Sequence, residues 1–477
     1  MGLWTVSVFE HRVMKKFFVS LGLAAAGTAR LHADYAPDAG DASKDWSIAG
    51  SFRGFYDDNY TTTHTGKQGS LGFEVNPSFN LNLPLQQTEI GLRYNYGLYY
   101  YQKRESAGQN PVDQTHQLDL WLDHAFTPRW EARLEDTVTV AQDPALTAVG
   151  TAVAQRVEGN NLANTVKASL HTDWTREFST ELSYANSFYD YQNSGATPAG
   201  TQANDPANYL GGGFYGYADG SVPSVNPSYA GLLNRVEQNI SLDLQWHVSQ
   251  TTTALIGYQF GLVNFTGNEL IAYSYQTIAV YPDNTPEVTG PATPVYSNSR
   301  DNLSHYGYVG VQHRFLENLT GSIRAGVQYT TYYNDPSSTT SLGPYGDASL
   351  IYTYASGSYA QLGVSESRNA TETVQVNSAG QITQDEESTV VYGSINHPLT
   401  PKLMASLVGH YQYSIYHDGQ FNNQSSEFYN LGLNLSYDFT RHFSADVGYN
   451  FDYYTTAAAL QQNYTRNRIY LGVTATY

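Results

Sequence analysis

Residues 469–477 read Ile-Tyr-Leu-Gly-Val-Thr-Ala-Thr-Tyr. Side chains of an extended strand alternate between two faces. Ile469, Leu471, Val473, Ala475 and Tyr477 therefore share one face, while Tyr470, Gly472, Thr474 and Thr476 share the other. The first face is wholly apolar. The second carries hydroxyls and a glycine, too little apolar surface to form a packed core.

The same two-faced pattern recurs upstream. Tyr429, Leu431, Leu433, Leu435 and Tyr437 oppose Asn430, Gly432, Asn434, Ser436 and Asp438. Ile90, Leu92, Tyr94, Tyr96 and Leu98 oppose Gly91, Arg93, Asn95, Gly97 and Tyr99. A soluble sandwich turns its apolar face inward over a dry core. Here the polar faces are expected to line water and the apolar faces to meet lipid, the inverted arrangement of a transmembrane barrel.

Five segments mark hairpins: Phe126–Trp130, Trp174–Phe178, Phe315–Leu319, Leu399–Leu403 and Phe439–Phe443. Each places two large apolar residues four positions apart around a three-residue turn, and another apolar residue follows at Leu134, Leu182, Ile323, Leu407 or Val447. A second aromatic cluster recurs about one membrane crossing later, at Phe188-Tyr189, Tyr332-Tyr333, Tyr413 with Tyr416, and Tyr453-Tyr454. A tilted strand crosses the hydrocarbon in roughly 9–11 residues, so these aromatics are expected at the two interfaces.

The predicted fold is all-β: a closed antiparallel up-and-down transmembrane barrel of about 18 strands, with short periplasmic turns and long extracellular loops. Strands are expected to start near residues 46, 70, 88, 115, 129, 162, 177, 235, 252, 302, 318, 347, 359, 388, 402, 427, 442 and 466. The pair around 347–372 has the weakest pattern, and without it the count is 16. The longest connections, about 191–233 and 266–300, are expected either to fold into the mouth or to shield the surface.

Composition agrees with this reading. The chain has 41 Tyr, 19 Phe and 6 Trp, an excess that suits interfacial girdles, and only 14% charged residues. It has no cysteine, which excludes disulfides, thiolate metal sites and cysteine catalysis. Lys15-Lys16, the short apolar run Phe17–Ala26 and a small residue at Ala33 have the layout of a signal peptide over residues 1–33, with Met14 as the expected start. Residues 34–45 are then a short periplasmic segment and 46–477 the barrel. Removing residues 1–33 loses four basic side chains and one acidic one, which takes the formal charge from −19 to −22. That acidity argues against nucleic acid as a partner.

By parity, the lumen-facing cations are Arg53, Arg93, Arg133, Lys167, Arg314 and Arg324. The lumen-facing acids are Glu74, Asp119, Asp123, Glu131, Glu135, Glu181, Asp243, Asp446 and Asp452. Opposed rows of these would set a transverse field, whereas neighbouring ones would pair along the wall. Inward aromatics include Tyr99, Trp121, Tyr306, Tyr308 and Tyr392, with Phe55, Tyr101, Tyr416 and Tyr454. Aromatic faces beside Asn, Gln and Asp suit a carbohydrate path, and the competing assignment puts these rings in the upper girdle. The 13 His are scattered without metal-ligand spacing, and no nucleophile motif stands out. No cofactor and no enzymatic activity are expected.

Two resemblances sharpen the picture. The apolar-faced, aromatic-ended closing strand resembles that of bacterial outer-membrane barrels. The likeness implies that Ile469, Leu471, Val473, Ala475 and Tyr477 form the signal read by the barrel-assembly machinery. The segment Trp46–Asn59, the repeated hairpins and the closing strand together resemble the β-barrel porin type 2 family of Gram-negative bacteria. That resemblance implies an outer-membrane location, contact with outer-membrane lipid, and companionship with exopolysaccharide export. A periplasmic polysaccharide-export partner would be a separate protein. The expected function is a porin-like channel for hydrophilic solutes, in its sharper form the terminal conduit for exopolysaccharide. Uptake of sugars or other small nutrients is one alternative, and a non-conducting surface adhesin or shield is another.

Overall fold

The computed structural model describes residues 45–477 except 143–159, 193–194, 196, 199–224, 281–285, 338, 356, 378 and 458–462. The expected signal peptide, and residues 34–44 of the expected periplasmic segment, lie outside the described residues.

The first half of the chain contributes β1 (Trp46–Asp57), β2 (Ser70–Pro84), β3 (Thr88–Tyr101), β4 (Val112–Thr127), β5 (Trp130–Ala141), β6 (Asn161–Asp173), β7 (Phe178–Asp190), β8 (Thr197–Pro198), β9 (Val225–Asn226), β10 (Arg235–His247) and β11 (Thr252–Phe265). The second half contributes β12 (Leu270–Val280), β13 (Pro286–Tyr296), β14 (Asn302–Leu316), β15 (Leu319–Tyr332), β16 (Thr340–Ala355), β17 (Ser358–Asn369), β18 (Thr383–Thr400), β19 (Leu403–Asp418), β20 (Ser425–Asp438), β21 (Phe443–Thr456) and β22 (Tyr464–Thr476). The pairs β8–β9 and β12–β13 are small ribbons within connections, and the other 18 strands form one antiparallel sheet. The sheet closes where β1 pairs with β22, from Ala49↔Thr476 to Asp57↔Arg468. Reciprocal bonds between Ile48 and Tyr477 finish the seam. The barrel therefore has 18 strands and not 16, because β16 and β17 both pair on each side.

The closing strand obeys the two-face rule. Ile469, Leu471, Val473 and Tyr477 are between 55% and 67% exposed on the outer wall, and Ala475 is exposed beside them. Across the wall, Asn434, Ser436, Asp446 and Thr474 are buried inside. The short turns share a local device. In four of the five repeats a threonine hydroxyl caps the turn by accepting two backbone N–H bonds. Thr127 caps Arg129 and Trp130, and Thr175 caps Glu177 and Phe178. Thr400 caps Lys402 and Leu403, and Thr440 caps His442 and Phe443. Such hydroxyl turns tie the two strands at fixed register.

The opposite rim is less regular. The β16–β17 ladder stops at Gly346↔Glu366, although β16 continues upward to Thr340 and stays paired to β15. Pro344 lies just above that point and has no N–H to donate, which suits a strand edge and not a ladder interior. The top of β17 remains with β18 and enters the lumen, where residues 365–370 line a cavity.

Candidate functional site

The interior divides into two sectors. Around the seam, inward side chains fill the space. Arg53 sits between Glu74 at 2.9 Å and Asp446 at 2.8 Å. Arg468 pairs with the other oxygen of Glu74 and lies 4.1 Å over the Phe55 ring. Arg466 holds Asp57 at 2.6 Å and approaches Asp452 at 3.9 Å. Phe55, Tyr60, Tyr101 and Tyr470 pack together as a buried cluster with Tyr99 against it. Tyr416 and Tyr454 also turn inward and are buried.

The remaining sequence-derived charges are spread along the wall. Arg133 contacts Asp123 at 3.4 Å and pairs with Glu135. Lys167 is in register with Glu135, and Glu131 with His171. Arg93 donates to Asn80 at 3.2 Å. Asp119 accepts from Thr137 at 3.1 Å and from Gln117. Arg314 donates to the Gln250 carbonyl at the short-turn end, at 3.1 Å. The pairs Arg53–Glu74, Arg133–Asp123 and Arg324–Asp347 each join register partners on adjacent strands.

Across the barrel lies a recess of about 240 Å³ on the inner faces of strands between β7 and β19. Its wall follows one line of register partners across six strands: Glu181, Asp243, Gly257, Tyr308, Gly326 and Tyr345. Tyr308 donates to Asp243 at 2.6 Å. Tyr345 meets Tyr306 at 4.8 Å and Tyr308 at 5.6 Å between ring centres. Arg324 holds Asp347 at 2.7 Å just below. Tyr306, Tyr345 and Tyr392 are half-buried and border the open space.

Glycines set how these rings lie. A Cβ at Gly257 or Gly326 would overlap Tyr308, one at Gly363 would overlap Tyr392, one at Gly91 Trp121, and one at Gly448 Tyr470. In each case the aromatic side chain occupies space that a cross-strand Cβ would otherwise take. The rings therefore lie along the wall over the glycines, as aromatics do when they cover sheet glycines. Such a ring takes little of the lumen's width.

The recess is acidic. Its lining includes Glu181, Glu237, Asp243, Asp347, Glu366 and Asp385 against three arginines, Arg235, Arg324 and Arg368. Each arginine lies against one of these acids: Arg235 to Glu237 at 2.6 Å, Arg324 to Asp347 at 2.7 Å, and Arg368 to Asp385 at 3.6 Å. Gln384 Oε1, buried on the same wall, accepts no hydrogen bond.

Loops roof this sector. Tyr191, Leu232, Leu233, Ile271, Ala272, Val374, Val376 and Ile382 form an apolar cluster drawn from three connections. Arg300 is fully buried and donates to the carbonyls of Leu232 at 3.0 Å, Thr371 at 2.9 Å and Gln384 at 3.3 Å. Burial pulls its guanidinium down to about 10, so it stays cationic at neutral pH. Ser274 adds a bond to the Gly380 carbonyl at 2.7 Å. Segments 191–233 and 266–300 thus pack, where described, against the connection after β17.

Parity reading found Asp243, Tyr306, Tyr308 and Tyr392 but missed Tyr345, Asp347, Arg466 and Arg468. The last two share the parity of Tyr470 and Gly472, so extending the closing-strand pattern upstream reaches them. Arg300 carries no such signal, because it lies in the turn Ser297–Arg300 outside any alternating segment.

The family described as Putative beta-barrel porin 2 matches residues 290–477. Among curated proteins, none matches this sequence. Similar solved structures include OccAB4 of Acinetobacter baumannii at 12% identity, covering 91% of this chain and 99% of that one with a TM-score of 0.37. A BenF-like porin from Pseudomonas fluorescens Pf-5 is 8% identical over 91% and 99% of the two chains, with a TM-score of 0.42. Pseudomonas aeruginosa OpdK, solved with vanillate, is 8% identical over 91% and 99%, with a TM-score of 0.39. The chain is thus a closed 18-strand barrel with an apolar outer wall, and the family match covers its C-terminal part.

Proposed function

We infer that this barrel is a passive conduit for hydrophilic solutes, and in the sharper form of the reading, the outer-membrane exit for an exopolysaccharide. The observation that carries it is the roofed polar recess: a space of about 240 Å³ walled by carboxylates, amides and tyrosines beneath packed loops. Barrels of 16–18 strands leave an aqueous channel unless something fills them. Among the described residues, side chains pack closely at the seam while the recess is open, which supports a conducting path along β7–β19. A polymer moving hand over hand needs many weak polar contacts and few deep ones, which this wall supplies. A separate periplasmic export protein would deliver the chain to the short-turn end, and the barrel-assembly machinery would place the barrel in the membrane. The residues act by lining and orienting, not by bond-making.

The test is single-channel recording of the protein, refolded without residues 1–33, in planar bilayers. Small openings that grow when the loops are destabilised support the conduit. A barrel that stays silent even after the roof is loosened makes the surface-protein alternative the better one.

A further inference from the structure

Resting on the conduit reading, we propose that the recess is a binding subsite for one sugar ring of a neutral or cationic glycan, and that it rejects anionic glycans. Three independent observations converge on this chemistry.

The first is the aromatic platform. Tyr306 and Tyr345 border the recess and meet edge to face, so that one ring can offer its face to a ligand, and Tyr392 adds a third ring seated over Gly363. Sugar rings present patches of C–H groups on their faces, and these pack against aromatic faces as apolar surface with a favourable quadrupole. Isolated ions or short polar solutes have no use for such a platform.

The second is the set of acceptors along the recess wall. Asp243 and Glu181 are register partners on adjacent strands and stand beside the platform. Gln384 contributes a buried oxygen without a donor. Sugar hydroxyls are donors, and a buried acceptor left unmet costs free energy that a hydroxyl recovers. A recess of about 240 Å³ has room for about eight water molecules, or for one sugar ring in their place.

The third is charge. Six acidic side chains against three arginines give the lining a formal excess of three acids. An amino sugar bearing an ammonium group gains from that field, a neutral sugar is indifferent, and a uronate is repelled. Low-dielectric walls focus the field and enlarge the difference.

The test is titration calorimetry on the refolded barrel in detergent, which needs no conduction. Three probes are used: a neutral glucan hexasaccharide, a chitosan hexasaccharide and an oligogalacturonate of the same length. The first two are expected to bind and the third not. Tyr345→Ala should weaken both binders about tenfold. Asp243→Asn should remove the advantage of the cationic glycan and leave neutral binding in place. Heat-modifiable gel migration reports folding, and Tyr392→Ala stands in if Tyr345→Ala misfolds. Preference for the anionic glycan, no glycan binding at all, or binding untouched by both tyrosine variants would overturn the subsite. A barrel that conducts ions yet binds none of the probes loses the subsite and keeps the conduit. A silent barrel that binds chitosan does the reverse.

Discussion

Arg300 Nη2 donates to the carbonyl oxygen of Thr371 at 2.9 Å, joining residues 71 positions apart. The bond connects the segment before β14 to the segment after β17, with four strands of the wall between them. The same guanidinium also holds Leu232 and Gln384, so one side chain ties three connections and a strand together.

Arg300→Ala is expected to loosen the roof. Three buried carbonyls lose their donor, and each such loss costs about 1–3 kcal/mol unless water enters. Water entry is the opening. Single-channel conductance should rise roughly twofold or more, with longer open times, because the recess then meets bulk solvent. Burial lowers the pKa to about 10, so the charged form is disfavoured inside relative to water. Closure therefore gains nothing from acid, and the contacts of Arg300 do not titrate across the neutral range. A conductance indistinguishable from wild type would show that the apolar cluster alone holds the loops.

Gly257→Ala is expected to displace Tyr308. The added Cβ would overlap both the Tyr308 ring and the Asp243 carboxylate, which are rigidly placed by their own hydrogen bond. Overpacking of this kind costs about 1–3 kcal/mol. The unfolding free energy of the refolded barrel from urea titration should fall by that amount, while Gly50→Ala, whose Cβ meets nothing within 4 Å, should leave it unchanged.

Arg53→Met is expected to damage the seam. It leaves Asp446 and one oxygen of Glu74 without their cation in a buried site, and breaking such a pair costs about 3–5 kcal/mol. Adding Glu74→Gln should recover part of the loss. A double-mutant cycle on unfolding free energy measures the coupling, and additive losses would mean that Arg468 alone neutralises Glu74.

Leu471→Arg is expected to disturb the lipid-facing wall. Leu471 is 67% exposed on the outer face of β22. An arginine on a barrel's lipid face costs about 2–4 kcal/mol at mid-bilayer and less toward the interfaces. Folding yield into lipid vesicles should fall while folding into detergent micelles falls less. Gly472→Ala, one residue away but inward, should fail in both media because a Cβ there meets Arg53.

Strand count, strand order and the direction of each face were legible in the sequence. Fold-level information sits in alternation, which needs only neighbours two residues apart, and in threonine-capped turns that repeat with the same spacing. All but two strand starts lie within three residues of their sequence-based positions. The exceptions, β16 and β18, begin at Thr340 and Thr383, where Gly343-Pro344 and a register shift near Thr383 break the pattern.

What the tertiary structure alone decided is which inward residues share a height and which loops meet. Parity placed Tyr308 and Asp243 inside but could not show that a single hydrogen bond joins them, because that depends on strand stagger around a closed barrel. It likewise could not show that Glu74 faces two arginines drawn from both sides of the seam. The roof is further still from local pattern. Arg300 finds its three carbonyls through loops whose meeting is set by barrel curvature and apolar packing, not by any spacing along the chain. Alternation is a local steric property of the backbone and is written residue by residue. Stagger and loop contact belong to the closed ring and exist only once β1 has met β22.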